Sequence, residues 1–133
     1  REDWYRPVLT PHEYEGPFRI GAIGFTPFAQ QHGRHGSMGL RCGGFAYSTD
    51  VKALSEDAFA ILAGVELWIV DCLQMEPHRT HSHFAQTLEW IARVKPRRAV
   101  LTHLNHRMDY ATVAALCPPG VEPGVDGLVL ECS

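Results

Sequence analysis

The sequence predicts an α/β fold, a mostly parallel sheet entered through antiparallel extended segments and covered by helices. Two runs carry the sheet: Leu67–Leu73 (LWIVDCL) and Ala99–Leu104 (AVLTHL) are strongly apolar, as expected of strands covered on both faces. The segments before them, 55–64 and 82–94, carry helix signals. Strand–helix–strand links within one sheet are right-handed and leave the strands parallel.

Each element can be justified in turn. Residues 1–17 hold three prolines (Pro7, Pro11, Pro17) and mixed charge, and read as an irregular lead-in or a connection from something upstream. Residues 18–32 (FRIGAIGFTPFAQQH) read as extended, with Pro27 favouring an edge or bulge. The glycine-rich HGRHGSMG reads as a turn and LRCGGFAYSTD as a second extended run, so 18–50 is expected to be an antiparallel pair. Ser55 is a natural N-cap, with Glu56 and Asp57 at the positive helix start and Gly64 as the stop. Phe84, Leu88 and Ile91 recur at helical spacing toward Val94, and Pro96 ends that helix. Asp109 caps a short helix, DYATVAAL, closed by Pro118 and Pro119, and GVDGLVLEC supplies a last turn and strand.

The chain of 133 residues suits one domain; at 45% hydrophobic and 20% charged it can bury a core. A net charge of −3, with no basic cluster beyond Lys95–Arg98, argues against nucleic acid as a partner. The cysteines at 42, 72, 117 and 132 form no C-x-x-C pair, so free thiols in a reducing, cytoplasmic setting are expected. No apolar run reaches the roughly 18 residues of a membrane span.

Asp50, Asp71 and His103 each end an apolar run. In an open α/β sheet ligands bind outside the carboxyl ends of the strands, so parallel neighbours would bring all three to one edge. The helix starting near Ser82 would aim its N-terminal N–H groups there, with His81 and His83 at its start, while His32 lies where the first extended run breaks. Imidazoles beside carboxylates are metal-site chemistry, and one carboxylate can bridge two ions. Each residue also has a plainer reading. A strand-end histidine is often only hydrogen-bonded, and capping of neighbouring backbone is the favoured role for Asp71. His12, His35 and His78 read as solvated loop residues, and His106 as a supporting group behind His103.

QQHG, YSTD followed by an acidic-capped helix, VDCL, THSHF and LTHLNHRMDY…GVDGL occur in this order. Together they resemble the C-terminal half of a metallo-β-lactamase-fold hydrolase, an αβ/βα four-layer sandwich, here over residues 18–133. The resemblance is strongest to the phosphoribosyl cyclic phosphate phosphodiesterases of phosphonate metabolism and more distant to ribonuclease Z. It implies that His32 binds a first metal, Asp50 bridges two, and His103 binds the second. The ions would be two divalent metals, zinc or manganese, and the substrate a small phosphodiester. A further histidine near a helix start would contact the substrate phosphate or leaving oxygen; His81 fits by order and spacing, with His83 as competitor. Asp71 and His106 would orient the metal ligands.

The family's signature, His-x-His-x-Asp-His, is absent; HSH at 81–83 lacks the following Asp-His. The resemblance therefore implies that the site is completed by an N-terminal half carrying that motif, and that this chain alone is inactive. A homodimer is compatible with the sequence. The competing expectations are a non-catalytic half-domain or scaffold with vestigial ligands and, less favoured, an RNA-processing nuclease.

Overall fold

The computed structural model describes residues 8–132, so the expected lead-in falls partly outside the described residues; residues 8–17 form neither strand nor helix. The elements run β1 (Phe18–Ile20), β2 (Ile23–His32), β3 (His35–Cys42), β4 (Phe45–Ser48), β5 (Ala53–Leu54), α1 (Glu56–Leu62), β6 (Leu67–Asp71), α2 (Phe84–Val94), β7 (Arg98–Thr102), α3 (Tyr110–Leu116) and β8 (Val121–Pro123). They build one sheet in the order β1-β2-β3-β4-β6-β7-β8, with β5 paired to β2. β1 to β4 are antiparallel, and β4, β6, β7 and β8 are parallel.

The first half corrects one expectation. Residues 18–50 are a four-stranded meander and not a single antiparallel pair, because His35–Cys42 (HGSMGLRC) is a strand. Its glycines read as a turn, yet Gly39 is there for packing: a Cβ at that position would fall 2.3 Å from the Phe28 ring on the paired strand. Pro27 sits in the middle of β2, between the stretch paired to β1 and the stretch paired to β5. On that flank its missing N–H leaves no ladder bond unmade.

The second half follows the sequence closely. Ser55 caps α1 by accepting from Ala58 N–H at 3.2 Å, and Gly64 turns the chain at φ +75°. At the other end of α1 the Arg41 guanidinium donates to the carbonyls of Ile61 and Ala63, satisfying acceptors the helix leaves open. α2 begins at Phe84, with His83 as its N-cap, and stops at Lys95, whose N–H returns to the Ile91 carbonyl at 2.8 Å just before Pro96. Asp109 caps α3 through Thr112 N–H at 2.9 Å. The last strand is earlier than expected: it is Val121–Pro123, and residues 124–132 form no strand.

One face of the sheet carries the core. The in-register rows Ala46–Trp68–Ala99 and Ser48–Val70–Leu101 pack with Ala58 and Leu62 of α1, Trp90 and Ile91 of α2, and Val113 of α3. Trp68 is fully buried and its indole N–H donates to Ser48 Oγ at 3.0 Å. Burial of a side chain of that size contributes several kcal/mol, about 4–6 by area. The alternate row, Leu40–Tyr47–Ile69–Val100, faces the other way. On that side Tyr47 and neighbouring Met38 are exposed, and among the described residues the segment 124–130 lies over Ile69 and Val100. Among the described residues no helix is long and apolar enough to cross a membrane, and all four cysteines are free thiols.

Candidate metal and catalytic site

The carboxyl ends of β4, β6 and β7 place Asp50, Asp71 and His103 on one edge, as the run-ending pattern predicts. Two of the three lie in the left-handed backbone region, Asp50 at φ +53° and His103 at φ +62°. Left-handed backbone costs about 1–3 kcal/mol in residues other than glycine and persists only where the surroundings enforce it. At Asp50 the enforcing bonds are visible. Buried Gln30 donates from Nε2 to the Thr49 carbonyl at 3.1 Å, and Ser37 Oγ donates to the Asp50 carbonyl at 2.6 Å. At His103 the flanking residues are tied instead: Cys72 N–H donates to the Thr102 carbonyl and Asn105 N–H to the Leu73 carbonyl, both at 2.9 Å.

β2 delivers His32 to the same edge. The hairpin that follows requires Gly33: φ is +63°, and a Cβ would fall 2.6 Å from the Thr80 methyl. Thr80 is the pivot of the site. Its carbonyl accepts from His32 Nδ1 at 2.8 Å. A carbonyl can only accept, so the proton of neutral His32 lies on Nδ1 and the lone pair on Nε2. That Nε2 faces Asp50 Oδ1 at 3.8 Å, and His103 Nε2 faces the same oxygen at 3.9 Å. Both separations are beyond a hydrogen bond. Two ligands on one tetrahedral zinc, with bonds of about 2.0–2.1 Å, stand roughly 3.3–3.4 Å apart. The three groups are thus spread slightly wider than a cation between them needs, with Asp50 midway between the two imidazoles.

Asp71 lies beneath them, wholly buried. Its Oδ2 accepts from Val51 N–H and from His81 Nδ1, both at 2.9 Å. Its backbone carbonyl accepts the hydroxyls of Ser82 and Thr87. Oδ1 has no hydrogen-bond partner and faces His103 Nδ1 at 3.8 Å. So Asp71 does cap backbone, as favoured from sequence, and it also fixes a ring. His81 is held edge-on to His32 and stacked on His103, with ring centroids 4.7 Å away in each case.

Ligand atoms of His32, Asp50 and His81 lie within 4.8 Å of one another, as do those of Asp71, His81 and His103. Imidazole and carboxylate donors suit zinc or manganese, and the bare Nε2 of His32 faces Asp50 Oδ1 with no hydrogen bond between them, as two ligands of one cation do. The residues present fit divalent metal.

The structure brings His32, Asp50, Asp71, His81 and His103 together. His83 is not in this group; as N-cap of α2 it makes no capping bond, and its buried Nδ1 has no hydrogen-bond partner. His106 is exposed on the loop after β7. One histidine is misread by sequence: His78, expected to be a solvated loop residue, is half-buried with its ring 5.4 Å from that of His81. Burial, and then the neighbouring His81, hold its pKa below the ordinary histidine range. Only its spacing in PHRTH, three residues before His81, could have signalled this.

A model of the β-lactamase superfamily domain matches residues 3–104. An octanoyltransferase of Porphyromonas gingivalis is 26% identical over 114 residues, covering 84% of this chain and 23% of that protein. A diphosphatase of the PhnP family superimposes with a TM-score of 0.88 at 26% identity, over 91% of this chain and 48% of that one. Human tRNase Z, short form, gives a TM-score of 0.65 at 18% identity, over 86% of this chain and 45% of that one. Zinc-bound PqqB from Methylobacterium extorquens gives 0.65 at 19%, over 87% and 53%. The last two share the fold alone. This chain spans about half the length of these solved structures and under a quarter of the octanoyltransferase. The strand-end cluster, the mixed sheet and the match over residues 3–104 agree: the chain belongs to the β-lactamase superfamily domain family, and its fold is part of the metallo-β-lactamase fold.

Proposed function

We propose that this chain forms the C-terminal half of a metal-dependent hydrolase that cleaves a small phosphodiester, with a preceding half supplying the remaining metal ligands. The observation that carries this reading is the position of Asp50 Oδ1 between His32 and His103, above a buried Asp71–His81 pair. His32 and Asp50 would hold one divalent ion, and Asp50 and His103 the other. Such ions lower the pKa of water from about 15.7 toward about 7 and neutralise phosphoryl oxygens. The resemblance to a PhnP-family diphosphatase supports phosphoryl chemistry. The open face bearing Met38 and Tyr47 supports a second layer packed on this sheet.

The chain's own residues then have separate tasks. Thr80 holds His32 with its Nε2 lone pair turned to Asp50. Asp71 accepts a hydrogen bond from His81 Nδ1–H and keeps that ring in one orientation; in its imidazolium form the ring would carry a second proton on Nε2 and pass it to the leaving oxygen, returning to the neutral ring with a bare Nε2. Asp71 acts by positioning and touches no substrate.

In the intact protein, His81→Ala should retain the metal content of the wild type and lower kcat on a phosphodiester by about 10²–10⁴-fold, the usual contribution of a general acid. Loss of metal in that variant would make His81 a ligand. Wild type that binds metal and leaves phosphodiesters intact would reject the phosphodiesterase reading.

A further inference from the structure

The histidines of this edge differ in which ring nitrogen is committed. His32 donates its Nδ1 proton to the Thr80 carbonyl and His81 donates its own to Asp71, so in the neutral rings both keep a bare Nε2. His78 is the reverse. The Thr80 backbone N–H, which can only donate, points at His78 Nδ1 at 3.3 Å. The Thr80 hydroxyl lies 3.4 Å from the same nitrogen. Nδ1 of His78 is therefore the acceptor, and its proton sits on Nε2. One threonine sets the two tautomers in opposite senses: its carbonyl makes His32 an acceptor and its N–H makes His78 a donor.

A ring committed in this way is a poor metal ligand at Nε2, where the proton sits, and a good donor to an anion. His78 is half-buried, with its ring 5.4 Å from that of His81. Arg79 is the next residue, and the charges of Lys52 and Arg79 act on it against that of Asp71. Hydrogen bonds to charged groups are the stronger class, and a fixed neutral donor needs no proton uptake to make one.

We propose that His78 is a substrate-binding residue whose Nε2–H donates to an anionic phosphoryl oxygen of the substrate, oriented for that task by the Thr80 N–H. This rests on the phosphodiester reading of the same site. It gives the loop between β6 and α2 a role in substrate recognition distinct from that of His81.

The test uses the intact, metal-loaded protein, with inorganic phosphate as the probe and a phosphodiester as substrate. His78→Ala should weaken phosphate binding, measured calorimetrically, by about 10–100-fold, the loss of one hydrogen bond to a charged group. KM should rise more than kcat falls, with metal content unchanged. His78→Gln, whose amide N–H reaches a similar point, should recover most of the phosphate affinity, whereas a merely structural role would show no such rescue. Unchanged phosphate affinity in His78→Ala, or loss of metal from it, overturns the assignment, as does wild type that binds no phosphate. Wild type that binds phosphate through His78 and hydrolyses no phosphodiester would instead overturn the reaction and leave the anion site standing.

Discussion

Removal of the Asp71 side chain should be among the most damaging single changes in this chain, although the residue is invisible from the surface. The substitution Asp71→Ala strips the acceptor from two buried donors at once, Val51 N–H and His81 Nδ1–H, each bonded at 2.9 Å. A buried donor left unpaired costs about 1–3 kcal/mol. With two donors and a small void, the expected loss is about 3–5 kcal/mol, the range seen when one member of a buried pair is removed. Asp71→Asn is the informative control. Its amide oxygen can take the place of Oδ2 and keep both bonds, while its NH2 faces His103 Nδ1 across the present 3.8 Å gap. The asparagine variant should therefore lose only about 1 kcal/mol. Urea unfolding of wild type and both variants, followed by circular dichroism, separates the cases. An alanine variant within about 0.5 kcal/mol of wild type would refute the reasoning, because that is the scatter of inert surface changes.

Two other changes follow from local geometry. Gly33→Ala faces a positive φ and a 2.6 Å overlap with the Thr80 methyl, so it should destabilise by about 1–3 kcal/mol; by displacing the partner of His32 Nδ1 it should also weaken metal binding by about 10–100-fold, and wild-type metal affinity would contradict the pivot role of Thr80. Burial pushes the Cys72 thiol from 9.0 up to about 12, so the unfolded chain ionises first and stability should fall as pH climbs from about 9 to about 12; thiol labelling at pH 8 should reach exposed Cys132 and spare Cys72, and labelling of Cys72 in the folded protein would refute its burial.

What the sequence shows of this fold, it shows through side chains that report their own surroundings. LWIVD and RAVLT announce buried strands because each holds an unbroken apolar run, LWIV and AVL, and Ser55 and Asp109 announce helix starts because a capping oxygen is needed there. Glycine reports nothing of the kind. HGSMG looks like a turn, and only the Phe28 ring lying where a Gly39 Cβ would be explains a glycine within a strand. The closing strand is misplaced for a related reason: Val121 and Pro123 make a short edge, while the more apolar GLVL further on forms none.

The site divides in the same way. Asp50, Asp71 and His103 are legible because each interrupts an apolar run at a strand end, and parallel strands must bring such ends together. The separation of His81 from His83 is not legible, since both stand at one helix start. Only the fold turns His81 onto Asp71 and leaves His83 as the cap. Nor does any local pattern announce that Thr80 sets the tautomers of both His32 and His78, because those bonds join three segments that meet only in space.

The shared role of Asp50 is tested most directly by counting metal in the intact protein. Wild type should carry two divalent ions, and Asp50→Asn, which keeps the shape and removes the bridging carboxylate, should lose at least one of them together with hydrolysis. An Asp50→Asn protein with both ions and undiminished activity would contradict the site built here.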